Sequence, residues 1–374
     1  MEAVIILRKN TMNLHLNALF LIAFVQIVLC APLASANEAK QVPSLDAHAL
    51  PLGDGKVSNA PRRGYVYSCT SSFRGSGAQH TGNWISGSTW DSTQKISVQG
   101  DVSWPDASIS IRAGGDQRLI SGNALPSGHT TGIFPVQRND PAYQIDRNPN
   151  SISAQTITLA LPLSPTAAAE AGCLPMGMVG VMLNGVPFFN ALDDAGRDAV
   201  AHEVQDHCSG HPQYQGEYHY HGPSACVKAE TENNRLVGYA LDGFGIYSMH
   251  DENGKELSNN DLDECHGRVS RIEWDGKQVE MYHYVLTREY PYTVGCYRGA
   301  AVRDQDRMRP AEMSGSSSGA AQRSGRHQPP AEALSACSGS SQNAPCSFVS
   351  PRGDRVSGTC QSPSGELACV PQRR

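Results

Sequence analysis

Between Asp206 and His221 the chain reads Asp-His-Cys-Ser-Gly-His-Pro-Gln-Tyr-Gln-Gly-Glu-Tyr-His-Tyr-His, gathering four histidines, a cysteine and two carboxylates into one short stretch. If Glu217 to His221 is a strand, as its aromatic content predicts, side chains alternate between faces. His219 and His221 then share one face, and Tyr218 and Tyr220 pack inward on the other. Two imidazoles standing two residues apart converge on a point without bending the backbone, which suits one metal ion. His211, in a Gly-His-Pro turn, or His207 offers a third nitrogen, and Asp242 or Asp206 a carboxylate to orient a ligand or act on bound water. Three nitrogens and an open position suit zinc or copper. The same residues can equally hydrogen-bond backbone groups and one another as a buried Tyr-His network with no metal.

The elements that must position these groups follow from pattern. Tyr65–Tyr67, Lys95–Val98, Asp101–Trp104, Ser108–Arg112 and Thr156–Leu161 alternate as short strands between Gly, Asp and Pro. Met178 to Leu183 is a further strand, and Asn184-Gly185 turns it back into Val186–Phe189. Ala195 to Asp206 reads as a helix, with Asp193 and Asp194 before it, Ala199, Val200 and Val204 as its stripe, and Ser209-Gly210 as its stop. On that helix His202 faces Asp206 and Glu203 faces His207. His202-Glu203-Val204-Gln205 lacks the second histidine of a zinc-protease helix. Leu236–Leu241 and Glu280–Leu286 are core strands, the former ending at an Asp242-Gly243 turn where Asp242 is either a turn residue or a working carboxylate. Asp263-Glu264-Cys265-His266 reads as a solvated, stapled loop, and His283 as a core residue.

Tyr218-His219-Tyr220-His221 resembles the motif that names the YHYH-domain family of secreted proteins. The resemblance extends to Leu183-Asn184-Gly185-Val186-Pro187, Gly238 to Tyr247, Leu262 to Gly267 and Tyr290 to Cys296, spanning roughly residues 90–299. It implies a domain and no reaction. A second aromatic run, Tyr282-His283-Tyr284-Val285, has valine where a full copy of the motif has histidine.

Composition and compartment set the frame. With 36 glycines, 23 prolines and 18% charged residues, the 374-residue chain suits a turn-rich, mainly β, disulfide-stabilised protein with a short helix. A net charge of −6 without a Lys/Arg-rich cluster argues against nucleic acid as partner. No phosphate-binding glycine loop with its lysine points to a nucleotide. Arg8 and Lys9, the apolar run Leu14 to Cys30 and Ala34-Ser35-Ala36 make residues 1–36 a cleavable signal peptide, predicting a secreted or periplasmic product with no membrane span after cleavage. Loss of Cys30 leaves ten cysteines, an even number that favours disulfides. Cys69, Cys173, Cys208, Cys226, Cys265 and Cys296 are expected to pair among themselves, as are Cys337, Cys346, Cys360 and Cys369, which leaves no thiolate for a cysteine hydrolase. The organisation expected is a flexible lead-in over 37–60, the YHYH-type domain over 61–299, a disordered linker over 300–334 and a small C-terminal four-Cys module over 335–374. That module is a candidate for cell-surface or glycan contact. Two function classes follow: an exported metal-dependent hydrolase or oxidoreductase, or a non-catalytic binding or structural module.

Overall fold

The computed structural model describes residues 45–73, 75, 77–302, 331–349, 355–362 and 367–371. The signal segment and most of the linker lie outside them. The chain is mainly β, and its largest element is an eight-stranded sheet. Its strands are β1 (Met178–Met182), β2 (Pro187–Phe189), β3 (Gly210–Pro212), β4 (Tyr218–Tyr220), β5 (Leu236–Ala240), β6 (Gly245–Tyr247), β7 (Gly267–Trp274) and β8 (Lys277–Val285). The order across the sheet is β3-β4-β2-β1-β5-β6-β8-β7.

That order is a palindrome of two equivalent halves, β1–β4 and β5–β8. In each, the first two strands form an antiparallel hairpin, the second pairs parallel with the fourth, and the third pairs antiparallel with the fourth. Phe188 faces Tyr220 in one half and Ile246 faces Tyr284 in the other. The halves meet at β1 and β5, where Gly180 pairs with Ala240, Val181 with Tyr239 and Met182 with Gly238, as a local two-fold axis through Val181 and Tyr239 requires.

Matching turns hold matching backbone groups. Asp193 Oδ1 accepts from Ala195 and Arg197 N–H at 2.9 and 2.8 Å, and Asp251 Oδ1 from Asn253 and Lys255 N–H at 2.9 Å each. Asp206 Oδ1 accepts from Cys208 and Gly210 N–H and from the Tyr218 hydroxyl, while Asp263 Oδ1 accepts from Cys265 and Gly267 N–H and from the Tyr282 hydroxyl. Both glycines are pressed by those tyrosines: a Cβ would come within 2.2 Å of the Tyr218 ring at Gly210 and of the Tyr282 hydroxyl at Gly267. Each half is closed by one disulfide, Cys208–Cys226 and Cys265–Cys296.

Tyr218, Tyr220, Tyr284, Phe188 and Ile246 are fully buried in one continuous core. A second, three-stranded sheet (Ile109–Gly114, Gln117–Gly122, Ile157–Pro162) adds Ile120, Leu159 and Leu161 to it. Arg118 from that sheet lies over Tyr239 and Trp274, 4.4 and 4.8 Å from the ring centroids, and pairs with Asp275 at 2.9 Å. Cys69–Cys173 joins the region before this sheet to the approach to β1.

Several expectations are corrected. The predicted helix over 195–206 is a four-residue turn, α1 (Ala199–His202), capped by Asp198 and ended by Glu203 at φ −80°, ψ 140°. The outer parts of the predicted span have stronger local bonds: Asp193 organises a turn over Ala195–Arg197, and Val204 N–H goes to Asp146. The lead-in read over 37–60 is ordered from residue 45 on: Leu50 and Leu52 are buried with Trp84, Trp90, Ala201 and Val204, and Gly53 N–H bonds Asp198 at 2.9 Å. Lys95–Val98 and Asp101–Trp104 are not strands but touch the fold through single bridges, Val98 to Asp206 and Val102 to Thr131.

The linker boundary also moves, because Val302 N–H bonds Leu241 O and Ala331–Ser335 is a short helix. That helix precedes a three-stranded sheet (Pro345–Val349, Arg355–Gln361, Ala368–Pro371) stapled by Cys337–Cys360 and Cys346–Cys369. The two predicted cysteine sets therefore pair within themselves.

Candidate metal centre

β3 is not the turn predicted around Gly210-His211-Pro212. It pairs with β4 so that His211 lies directly opposite His219, with ring centroids 4.6 Å apart. His221 follows at the end of β4 on the same face, with its ring 4.8 Å from His219 and 5.4 Å from His211. One ligand nitrogen from each of the three lies within 4.8 Å of the others. The Nε2 atoms of His219 and His221 are 3.0 Å apart.

Backbone carbonyls fix two of these rings. His219 Nδ1–H donates to Glu217 O at 3.0 Å and His221 Nδ1–H to Asn190 O at 2.5 Å, which leaves both Nε2 lone pairs bare. Phe189 stacks on His219 with centroids 3.8 Å apart. His211 is held more loosely: its Nδ1 lies 3.5 Å from Asn148 Nδ2, which donates to Pro212 O at 3.0 Å.

The fourth member is Glu203, which was not among the sequence candidates. The helix ends there, so its side chain drops towards the histidines, with Oε2 3.5 Å from His211 Nε2 and 3.4 Å from His221 Nε2. Asp198 caps the start of the helix, accepting from Ala201 N–H and from the Tyr292 hydroxyl, while Trp84 Nε1–H donates to Ala201 O near its end. A signal existed in the sequence: Asp198 lies beyond Gly196, a poor helix residue, so a helix capped there starts later than one capped by Asp193 or Asp194 and presents Glu203 differently.

Burial governs the electrostatics. It holds the His211 and His219 imidazoles well below their usual range and His221 down to about 4, so all three are neutral. Burial also raises the Glu203 carboxyl well above its ordinary value, aided by Asp146, Asp193 and Asp194 and opposed by the Lys95 ammonium. Lys95 bonds Val200 O and Gln205 Oε1 behind this turn. Glu203 Oε2 and His211 Nε2 are buried without a hydrogen-bond partner among the described residues. Converging lone pairs beside a buried acid in an acidic surround are relieved by a cation, which would also favour the carboxylate form of Glu203. Donors about 2.1 Å from one ion and about 90–110° apart stand about 3.0–3.4 Å from each other. Three of the six edges, at 3.0, 3.4 and 3.5 Å, lie close to that spacing.

The remaining candidates lie elsewhere. His207 is exposed and borders a shallow surface hollow with Ser97, Gln99 and Asp101. Asp206 is committed to Gly132, Cys208 and Gly210 N–H and to the Tyr218 hydroxyl, and Asp242 to Phe244 and Gly299 N–H and the Tyr284 hydroxyl. His202 turns away to Asp54 at 2.9 Å. His266, read as part of a solvated loop, is buried and bonds Thr287 Oγ1 at 2.9 Å, and His283 meets Tyr247 edge-on in the other half of the sheet.

Residues 158–257 match the family model described as YHYH protein. The match is narrower than the 90–299 drawn from the motifs, but it contains β1 to β6 and all four converging side chains. Among curated proteins and solved structures nothing matches the chain. No helix among the described residues is long and apolar enough to cross a membrane.

Proposed function

Because the chain carries a YHYH domain, we propose that it is an exported metalloprotein that binds one transition-metal ion through His211, His219, His221 and Glu203. The observation that carries this is the pair of unpartnered buried atoms, Glu203 Oε2 and His211 Nε2, beside two imidazoles whose Nε2 lone pairs are bared by carbonyls. Imidazole nitrogens and a carboxylate oxygen suit zinc first and copper second: the donor spacing fits a tetrahedral set, and a four-donor closed site is the usual structural arrangement for zinc. His211 and His221 side chains are 5% exposed, so the ion sits out of reach of a bulky substrate. The role that follows is a buried ion that fixes the strand pair and the Glu203 turn in a secreted or periplasmic binding domain.

A hydrolytic or redox reading rests on Glu203, the most exposed of the four at 13%. The three imidazoles would hold the ion, a bound zinc would supply activation of water, and Glu203 would be the residue placed to act on that water's proton. Five disulfides and the acidic net charge support an extracellular setting rather than a nucleic-acid or nucleotide partner. The cystine module supplies the cell-surface or glycan contact; unchanged surface attachment after deletion of residues 336–374 would refute that part.

The deciding experiment is elemental analysis of untagged mature protein, wild type beside Glu203→Gln and His219→Ala/His221→Ala. About one zinc or copper per wild-type chain is expected, absent from the folded double variant. Weakened binding in Glu203→Gln supports the closed site; undiminished affinity with exchangeable bound water supports the catalytic reading. A wild-type chain that neither contains nor takes up metal sinks both, leaving a Tyr-His structural network.

A further inference from the structure

The two-fold relation of the half-sheets places counterparts of the three histidine positions in the second half. Arg268 pairs with His283 across β7 and β8 as His211 pairs with His219 across β3 and β4. His283 repeats the orientation of His219: its Nδ1–H donates to Met281 O at 3.1 Å, against 3.0 Å for His219 and Glu217 O. An aromatic ring from the equivalent strand position meets both, Tyr247 edge-on to His283 with centroids 4.8 Å apart and Phe189 stacked on His219 at 3.8 Å. Val285 stands where His221 does, two residues after the shared histidine. In place of donor atoms, the second half has a small buried cluster of Leu257, Leu262 and Val285.

We infer that the second half is a closed copy of the metal position, resting on the metal reading of the first half, in which Arg268 supplies the positive charge and Val285 with Leu257 and Leu262 fills the space. The proximity of Arg268 is felt by His283, whose imidazole is held down to about 4 by burial and by that guanidinium. The first half solves the same problem differently: its three imidazoles and carboxylate face one another and need an ion. The backbone is competent for a transition-metal ion in both places, and two side chains decide which half holds one.

Reciprocal exchange tests this. Arg268→His with Val285→His, in the full mature chain, is expected to raise bound zinc from about one to about two ions per chain. With His219→Ala added, the exchanged chain should still hold about one. A chain shown folded by circular dichroism that stays at one ion, and at none with His219→Ala, overturns the inference. Since an imidazole at 285 enters an apolar cluster and can block folding, the reverse exchange decides independently. His211→Arg with His221→Val should bind no zinc yet melt in chelator at or above wild type in the same chelator. A reverse exchange that melts at least 5 °C lower there overturns the inference too. Wild type without metal would sink the first-half reading alone, because the forward exchange carrying His219→Ala still reports on the second half.

Discussion

β1–β4 and β5–β8 have the same strand order, the same Asp-centred turns, the same Gly-on-Tyr contacts and a closing disulfide each, yet on one face they share only a histidine with its aromatic neighbour. One half puts three neutral imidazoles and a carboxyl there; the other puts one imidazole, an arginine and a valine in an apolar cluster. The comparison separates what the fold requires from what the site requires. Tyr218, Tyr220, Tyr282 and Tyr284 all send their hydroxyls to partners on the buried side: Asp206, Asn184 with His129, Asp263 and Asp242. The tyrosines of the Tyr-His-Tyr-His run therefore belong to the scaffold and recur in both halves. The histidines beyond the shared His219 and His283 do not recur, and they are where function is free to vary.

The strongest way to break the comparison is to remove the equivalent histidines one half at a time. His219→Ala is expected to abolish metal binding, and His283→Ala to leave the ion in place. At free metal about a thousand times Kd the bound ion contributes about 4 kcal/mol. Chelator should therefore lower the melting temperature of wild type and of His283→Ala, and leave His219→Ala unmoved. Equal metal loss in both variants would mean that the halves do not divide their roles as drawn.

The scaffold offers a sharper test, since there the halves must behave alike. Asp206→Asn and Asp263→Asn each weaken bonds to two backbone N–H groups and a tyrosine hydroxyl, at about 2–3 kcal/mol apiece in denaturant unfolding. Asp206 is the more buried and also accepts from Gly132 N–H, so its cost should be the larger of the two. A cost confined to one half would contradict the equivalence.

Much of this scaffold was legible in the chain itself. Period-two alternation placed His219 and His221 on one face and Tyr218 and Tyr220 on the other, and Asn184-Gly185 marked a hairpin, because strand faces and tight turns are local properties. Asp206-x-Cys-x-Gly and Asp263-x-Cys-x-Gly, like the two Tyr-His-Tyr runs, stand in the same order in each half and carry the repeat in plain letters. His211 was named, but its place depends on the register of two strands joined by a loop, which no local pattern specifies. Glu203 was missed for a physical reason: apolar spacing over 195–206 satisfies a helix, whereas side-chain bonds from Asp193, Asp198 and Asp146 cut it to four residues. Ordering of residues 45–60 was equally hidden, since Leu50 and Leu52 are buried by a distant turn rather than by their neighbours.

Acid titration gives a subtler contrast within the second half. His283 is neutral in the fold, held at about 4, while an unfolded chain protonates it below its ordinary 6.5. Between those values the unfolded state binds more protons, so this residue stabilises the fold above pH 6.5 and loses that contribution as the pH falls towards 4. The slope is at most about 1.4 kcal/mol per pH unit. His283→Gln, compared with wild type in chelator, should flatten the stability profile by that amount in this window and change nothing above pH 7. Parallel profiles would show that the Arg268-His283 pair is not the closed, neutral arrangement described.

The smallest effect is expected beside the two-fold axis, where Arg118 is an asymmetric addition. It comes from the three-stranded sheet, lies over Tyr239 and Trp274, and meets Asp275, whose side chain is 45% exposed. The ion pair is therefore worth little, and the stacking about 1 kcal/mol. Arg118→Met keeps the apolar stem against both rings and removes only the charge. Its expected cost is about 1 kcal/mol, with metal content unchanged, because Tyr239 sits on the axis and β1 and β2 separate it from the imidazoles on β3 and β4. If the loss reached 3 kcal/mol or more, the guanidinium would be a main tie between the three-stranded sheet and the second half, since Tyr239, Trp274 and Asp275 all belong to that half. The equivalence of the halves would then depend on a sheet that grips only one of them through this residue.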